Sequence, residues 1–122
     1  MFLDDLKAFL VARGYENIFP DSMSLKADEC IGLFLYAHAS PSINNGVSKR
    51  YIQVQIRRKD RREAARIAEE LCALLDSGMN EEYFEIGDRL MLLRPSARPK
   101  KLTVTEQNLP VYYFEFAAVG EI

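Results

Sequence analysis

The sequence predicts an α+β fold: a single mixed, mainly antiparallel twisted sheet with two helices packed on one face. Three observations lead there. Residues 51–75, YIQVQIRRKDRREAARIAEELCALL, change from two-residue to helical periodicity within three positions of Arg58, so one strand runs directly into one amphipathic helix. Gly87 and Asp88 stand between two apolar runs and have the backbone preferences of a tight primed turn, which joins adjacent antiparallel strands. The closing run, residues 109–119, LPVYYFEFAAV, sets Tyr112, Phe114 and Phe116 on one side and Val111, Tyr113 and Glu115 on the other, the alternation of a strand.

The remaining elements follow in order. Near the start, Phe2, Leu6, Phe9 and Leu10 recur at three- and four-residue spacing, and Gly14 follows as a residue able to close a helix in the left-handed conformation. Residues 15–19 suit a brief extended segment before Pro20, and 21–29 a polar connector. Residues 30–37, CIGLFLYA, are almost wholly apolar, which predicts a central strand covered on both faces. Residues 38–49 read as a loop, because Pro41 removes a donor and Asn44, Asn45 and Gly46 tolerate positive φ. In the next strand Ile52, Val54 and Ile56 point one way and Tyr51, Gln53, Gln55 and Arg57 the other.

For the second helix, Asp60 is placed to accept the Glu63 N–H while Glu63 reaches back. Ala64, Ile67, Ala68, Leu71 and Leu75 form its buried stripe, and Gly78 marks its end. Residues 82–86 and 90–94 make the hairpin arms. Residues 94–108, with Pro95, Pro99, Arg98, Lys100 and Lys101, read as a long basic loop, of the kind that is either mobile or ordered by a partner. Residues 1–122 thus form one domain, with no internal repeat or low-complexity segment.

Composition narrows the function classes. A chain of 122 residues, 48% hydrophobic and 28% charged, is ordinary for one globular domain. A net charge of −2 and a pI near 5.5 argue against a protein whose main task is neutralising phosphates. Cys30 and Cys72, 42 positions apart, match no metal-ligand spacing and read as reduced, buried thiols. The opening MFLDDLKAFLVARG carries Asp4, Asp5 and Lys7 inside its apolar pattern, unlike a signal peptide, and no apolar run approaches the roughly 20 residues of a membrane span. A soluble, unexported protein is expected.

Candidate chemistry is sparse. His38, the single histidine, is followed by Ser40 and Ser42, but a Pro/Asn/Gly loop gives no frame for a nucleophile and its base, so a structural or solvent-facing role is expected. The acidic pairs Asp4/Asp5, Asp28/Glu29 and Glu81/Glu82 are sequence neighbours whose side chains diverge, so none presents two carboxylates to one metal. No phosphate loop, nucleophile elbow or short cysteine pair is present, and no catalytic residue, cofactor or metal is assigned. Arg57, Arg58, Lys59, Arg61, Arg62 and Arg66 crowd a helix N-terminus against its dipole. They read as a solvated face with Arg66 paired to Glu69 or Glu70, as a contact for an acidic neighbouring subunit, or as a phosphate contact. Tyr113 lies on the face of the last strand that needs a cover from a helix or another chain. The candidate subunit or partner interface is therefore Arg57, Arg58, Arg61, Arg62, Arg66 and Tyr113, with Asn44, Asn45, Arg98, Lys100 and Lys101 from the two loops.

The order of elements resembles the small minor capsid proteins of tailed bacteriophages and prophages, grouped with tail terminator and head–tail joining proteins. The segments that carry the resemblance are the strand YIQVQIRRKD, the helix REAARIAEELCALL, the hairpin strand RLMLLRPSARP and the closing VYYFEFAAV, preceded by LDDLKAFLVARG and CIGLFLYA. The exit after Pro95 departs from the pattern, being longer and more basic. The resemblance implies a homo-oligomeric ring, commonly hexameric, that caps the tail tube and receives the head connector. It also implies a virion location after assembly in the bacterial cytoplasm, contacts with tail-tube and head-connector proteins, no membrane, at most incidental nucleic acid, and no catalysis. Two other readings stand beside it: a head-completion (neck) protein, and a nucleic-acid-binding module using residues 57–66 and 94–101.

Overall fold

The structure, a computed structural model, describes residues 2–23, 28–39, 47–104 and 109–121. Among these residues the elements run α1 (Phe2–Val11), β1 (Ile18–Pro20), β2 (Cys30–Ala39), β3 (Val47–Arg57), α2 (Arg61–Leu74), β4 (Phe84–Ile86), β5 (Arg89–Pro95), β6 (Lys100–Val104) and β7 (Pro110–Glu121). One sheet takes the order β1-β2-β3-β7-β5-β4, with β6 also paired to β7. Only β1 with β2 is parallel; every other pair is antiparallel. The fold is α+β with one mixed, mainly antiparallel sheet.

Register decides which side chains share a face, because directly opposed residues point the same way. Ile52 faces Phe116, Val54 faces Phe114, and Ile56 faces both Ile31 and Tyr112. Leu33 joins Val54 from β2, and Leu93 joins Ala118 from β5. Onto this face α1 sets Leu3, Leu6, Phe9 and Leu10, and α2 sets Ile67, Ala68 and Leu71, with Leu75 following, all within one buried cluster. Each large apolar side chain buried here contributes about 1.5–3 kcal/mol.

The sheet curls so that α1 packs against β1 and β2 near one edge and against β4 at the other. Phe9 meets Phe84 edge-on at 5.8 Å, and the Arg50 guanidinium lies 5.3 Å over the Phe2 ring. The β4–β5 turn has positive φ at Gly87 (66°), where a Cβ would sit 2.8 Å from the Asp5 carboxylate. Glycine there serves both the turn and the close approach of α1.

Several expectations need correction. The expected 94–108 loop is interrupted by strand: after Pro95 pairs with Phe116, Ser96 donates to the Glu115 carbonyl, and Lys100 resumes pairing opposite Tyr113 to begin β6, while residues 105–108 lie outside the described residues. Residues 96–99 are a bulge that absorbs Pro99, Pro95 closes β5, and the Leu-Thr-Val run of β6 supplies the β-branched character that the lysines masked. The 38–49 loop is shorter than expected, since β2 continues through Ala39 and β3 begins at Val47. His38 pairs in register with Arg50, whereas Ser40, Ser42, Asn44 and Asn45 lie outside the described residues. β2 is the second strand from an edge, and its burial runs from Cys30 to Leu33; Leu35 and Tyr36 are exposed. At the start of α2, Asp60 caps the N–H of Arg62 at 2.9 Å and not that of Glu63, whose carboxylate turns to Arg58. Cys30 is buried, but Cys72 is only half-buried, with its Sγ 3.9 Å from the Ala97 carbonyl.

Beyond α2, Ser77 takes the place of a strand residue. Its N–H donates to the Leu93 carbonyl and its hydroxyl accepts the Leu93 N–H, both at 2.8 Å. Ser77→Ala leaves that buried donor without a partner and is expected to lower stability by about 1–3 kcal/mol, measured by denaturant unfolding.

Candidate assembly interface

The face of the sheet opposite both helices is where the sequence's outward-pointing residues collect. From β3 it receives Tyr51, Gln53 and Gln55; opposite them β7 places Ala117, Glu115 and Tyr113, and β2 adds Phe34 and Gly32. Tyr36 is the extra residue of a bulge between Leu35 and Ala37, and is 50% exposed with its ring 6.0 Å from that of Tyr51. Its hydroxyl donates to Glu115; burial first, then this hydrogen bond and the carboxylate's charge, push its pKa up to about 12. The Lys49 ammonium sits 5.3 Å over the Tyr51 ring. Near Gly32 the face is lidded by Ser22 and Met23. Tyr113 is half-buried, flanked by Gln55 on β3 and Lys100 on β6. Tyr36 and Tyr51 were not singled out from the sequence; the uniformly apolar run of β2 hid the exposure of Leu35 and Tyr36, although the outward position of Tyr51 was legible from alternation.

The basic run is drawn apart by its neighbours. The Arg57 Nε donates to the Asp28 carbonyl at 3.2 Å, and Lys59 pairs with the Asp28 carboxylate at 3.6 Å. Arg58, only 15% exposed, lies 3.7 Å from Glu29 and 4.0 Å from Glu63. Arg66 pairs with Glu70 one helical turn on, at 3.1 Å. Arg61 and Arg62 are exposed, and among the described residues neither has an ion-pair partner. The Asp28/Glu29 pair is thus the counter-charge for the strand-to-helix junction, a role that a separation of about thirty positions conceals in the sequence. Arg98, Lys100 and Lys101 are exposed and lie on the other flank of β7, so the structure does not gather the candidate residues into one patch.

Between the α1–β1 turn and α2 lies an open cleft of about 350 Å³ lined by Tyr15, Glu16, Glu29, Arg58, Glu63 and Glu70 among others. Its carboxylates hold the guanidinium groups and the Tyr15 hydroxyl, which donates to Glu70. Partial burial first, then the Glu70 hydrogen bond and charge, push the Tyr15 pKa up to about 12. The neutral phenol is favoured in the folded chain, so its contribution is fully present below the ordinary tyrosine value and is lost as pH rises toward 12. In an alkaline unfolding series Tyr15→Phe is expected to flatten the loss of stability between pH 10 and about 12.

Among the described residues no three of His, Cys, Asp and Glu converge where a metal could sit, and no helix is long and apolar enough to cross a membrane. No family model matches the chain, and no curated protein is significantly similar to it.

Proposed function

We propose that this chain is a structural protein of a tailed phage or prophage virion, a ring-forming tail terminator or head–tail joining protein that works by assembly and not by catalysis. The observation that carries the reading is the sheet face bearing Tyr36, Tyr51 and Tyr113, which no helix covers among the described residues and which lies opposite the face on which both helices pack. Tyrosine suits an interface because its ring loses water while its hydroxyl keeps a partner, as Tyr36 does with Glu115. The order of helices and strands that prompted the resemblance supports the same reading. Copies of the chain would form a ring, six being the number the resemblance suggests, seated between the tail tube and the head connector.

Light scattering over a concentration series, with the protein alone and with purified tail tubes, tests this. A discrete ring in at least one condition is expected. A single monomeric species in both overturns the reading, as does turnover of any substrate that one side-chain substitution abolishes. The structure lends the nucleic-acid reading no specific support, since Arg58, Lys59 and Arg66 are already held by carboxylates of the chain.

A further inference from the structure

One flank of the sheet divides by charge. Beyond β7, the outer edge is built by two successive pieces, β5 with β4 and the turn at Ser77 beside it, and then, past the bulge, β6. Residues 76–88, on the first piece, hold five acidic side chains and no Lys or Arg, with Arg89 and Arg94 following in β5; residues 96–104, leading into and along the second, hold three basic side chains, Arg98, Lys100 and Lys101, and no acid. Of these only Arg94 and Glu81 pair with each other, at 3.4 Å. Glu82, Glu85 and Asp88 are exposed at one end, Lys100 and Lys101 at the other, and none has an ion-pair partner among the described residues.

Each half also exposes apolar surface. Met79 is fully exposed and Tyr83 is 65% exposed within the acidic half, while Leu102 stands 42% exposed beside the two lysines. Among the described strands, β4 pairs only with β5 and β6 only with β7, so both present an unpaired outer edge. Charges of one sign around an exposed apolar side chain, on an open strand, are the features of a surface that closes on a complementary one.

We propose that the partner of this flank is a second copy of the same chain. The two halves lie on the same side of β7 and are offset along it, so a twofold rotation sets the acidic half of one copy against the basic half of the other, twice over. Both contacts form together, and charges of like sign are kept apart. The free protein is thus a closed dimer, and this inference goes beyond the ring proposed above: the pairing stands or falls whether or not the tail tube recruits a ring.

Sedimentation equilibrium of the purified chain tests it. The wild-type chain is expected to sediment as a dimer whose dissociation constant rises at least tenfold on raising salt from low to high. Lys100→Glu with Lys101→Glu, and separately Glu82→Lys with Glu85→Lys, are each expected to give folded monomers. An equimolar mixture of these two variants restores the dimer, because the two reversed pairs then face each other with opposite sign across one contact and the two unchanged pairs do so across the other. A wild-type monomer at every concentration overturns the pairing, as does a dimer that neither variant disturbs. A larger discrete species dissolved by the same substitutions overturns the closed twofold arrangement while leaving the ring reading intact. Retention of duplex DNA by the wild-type chain, lost in the lysine variant, overturns it in favour of phosphate as the ligand of the basic half.

Discussion

Phe116→Ala is expected to lower the free energy of unfolding by about 3–5 kcal/mol, read as a fall in the denaturant midpoint with little change in slope. β7 is the spine of the sheet, pairing along one side with β3 and along the other with β5 and then β6. Phe116 is fully buried on its helix-covered face, where it meets Ile52 across one ladder and Pro95 across the other, with Phe114 at 6.2 Å. Truncation removes the apolar area and leaves a void that three strands and a helix cannot easily collapse into. A domain of this size has about 5–15 kcal/mol of stability in total, so the variant forfeits a large share of it. Tyr113→Ala on the opposite face of the same strand serves as the comparison. Tyr113 is half-buried, and among the described residues no helix lies above it, so its loss should fall well below that of Phe116. Equal losses would mean that the open face is covered within a single copy of the chain.

The contrast between these two positions also marks where the sequence was informative. Alternation is a local property, so the inward set Ile52, Val54, Ile56, Tyr112, Phe114 and Phe116 could be read off directly, and so could the stripe of α2. Pairing across distance is not local. The parallel partnership of β1 with β2, the Asp28/Glu29 counter-charges at Arg58 and Lys59, and the Ser77–Leu93 exchange depend on neighbours that only folding supplies. β6 was missed for a different reason. Two prolines and three basic residues between 95 and 101 are loop chemistry by composition, but the prolines sit at the end of β5 and in the bulge, where no ladder hydrogen bond is needed from them. Of the candidate interface residues, the exposure of Arg61, Arg62, Lys100 and Lys101 matched their chemistry, whereas Arg58 and Arg66 were claimed by the chain itself.

Leu71→Ala separates folding from assembly. Leu71 is fully buried at the centre of the α2 stripe, one turn from Ile67 and Leu75, and its backbone carbonyl accepts the Leu75 N–H at 2.9 Å to close the helix. Alanine keeps the helix, since it has the higher helix propensity, so the whole cost falls on packing. A loss of about 2–5 kcal/mol is expected in calorimetric or denaturant unfolding, the upper end applying if the β3 and β7 residues under α2 hold their positions around the void. Association of the protein that remains folded should be unchanged, because Leu71 reaches no surface. Arg62→Glu is the reverse case: it is exposed and unpaired among the described residues, and a negative charge in the first turn favours the helix dipole. Its stability should therefore stay within about 0.5 kcal/mol of the parent or rise slightly. Its self-association or docking to tail tubes should weaken if this end of α2 meets an acidic neighbour. Loss of stability with assembly intact would move Arg62 out of the interface and into the scaffold.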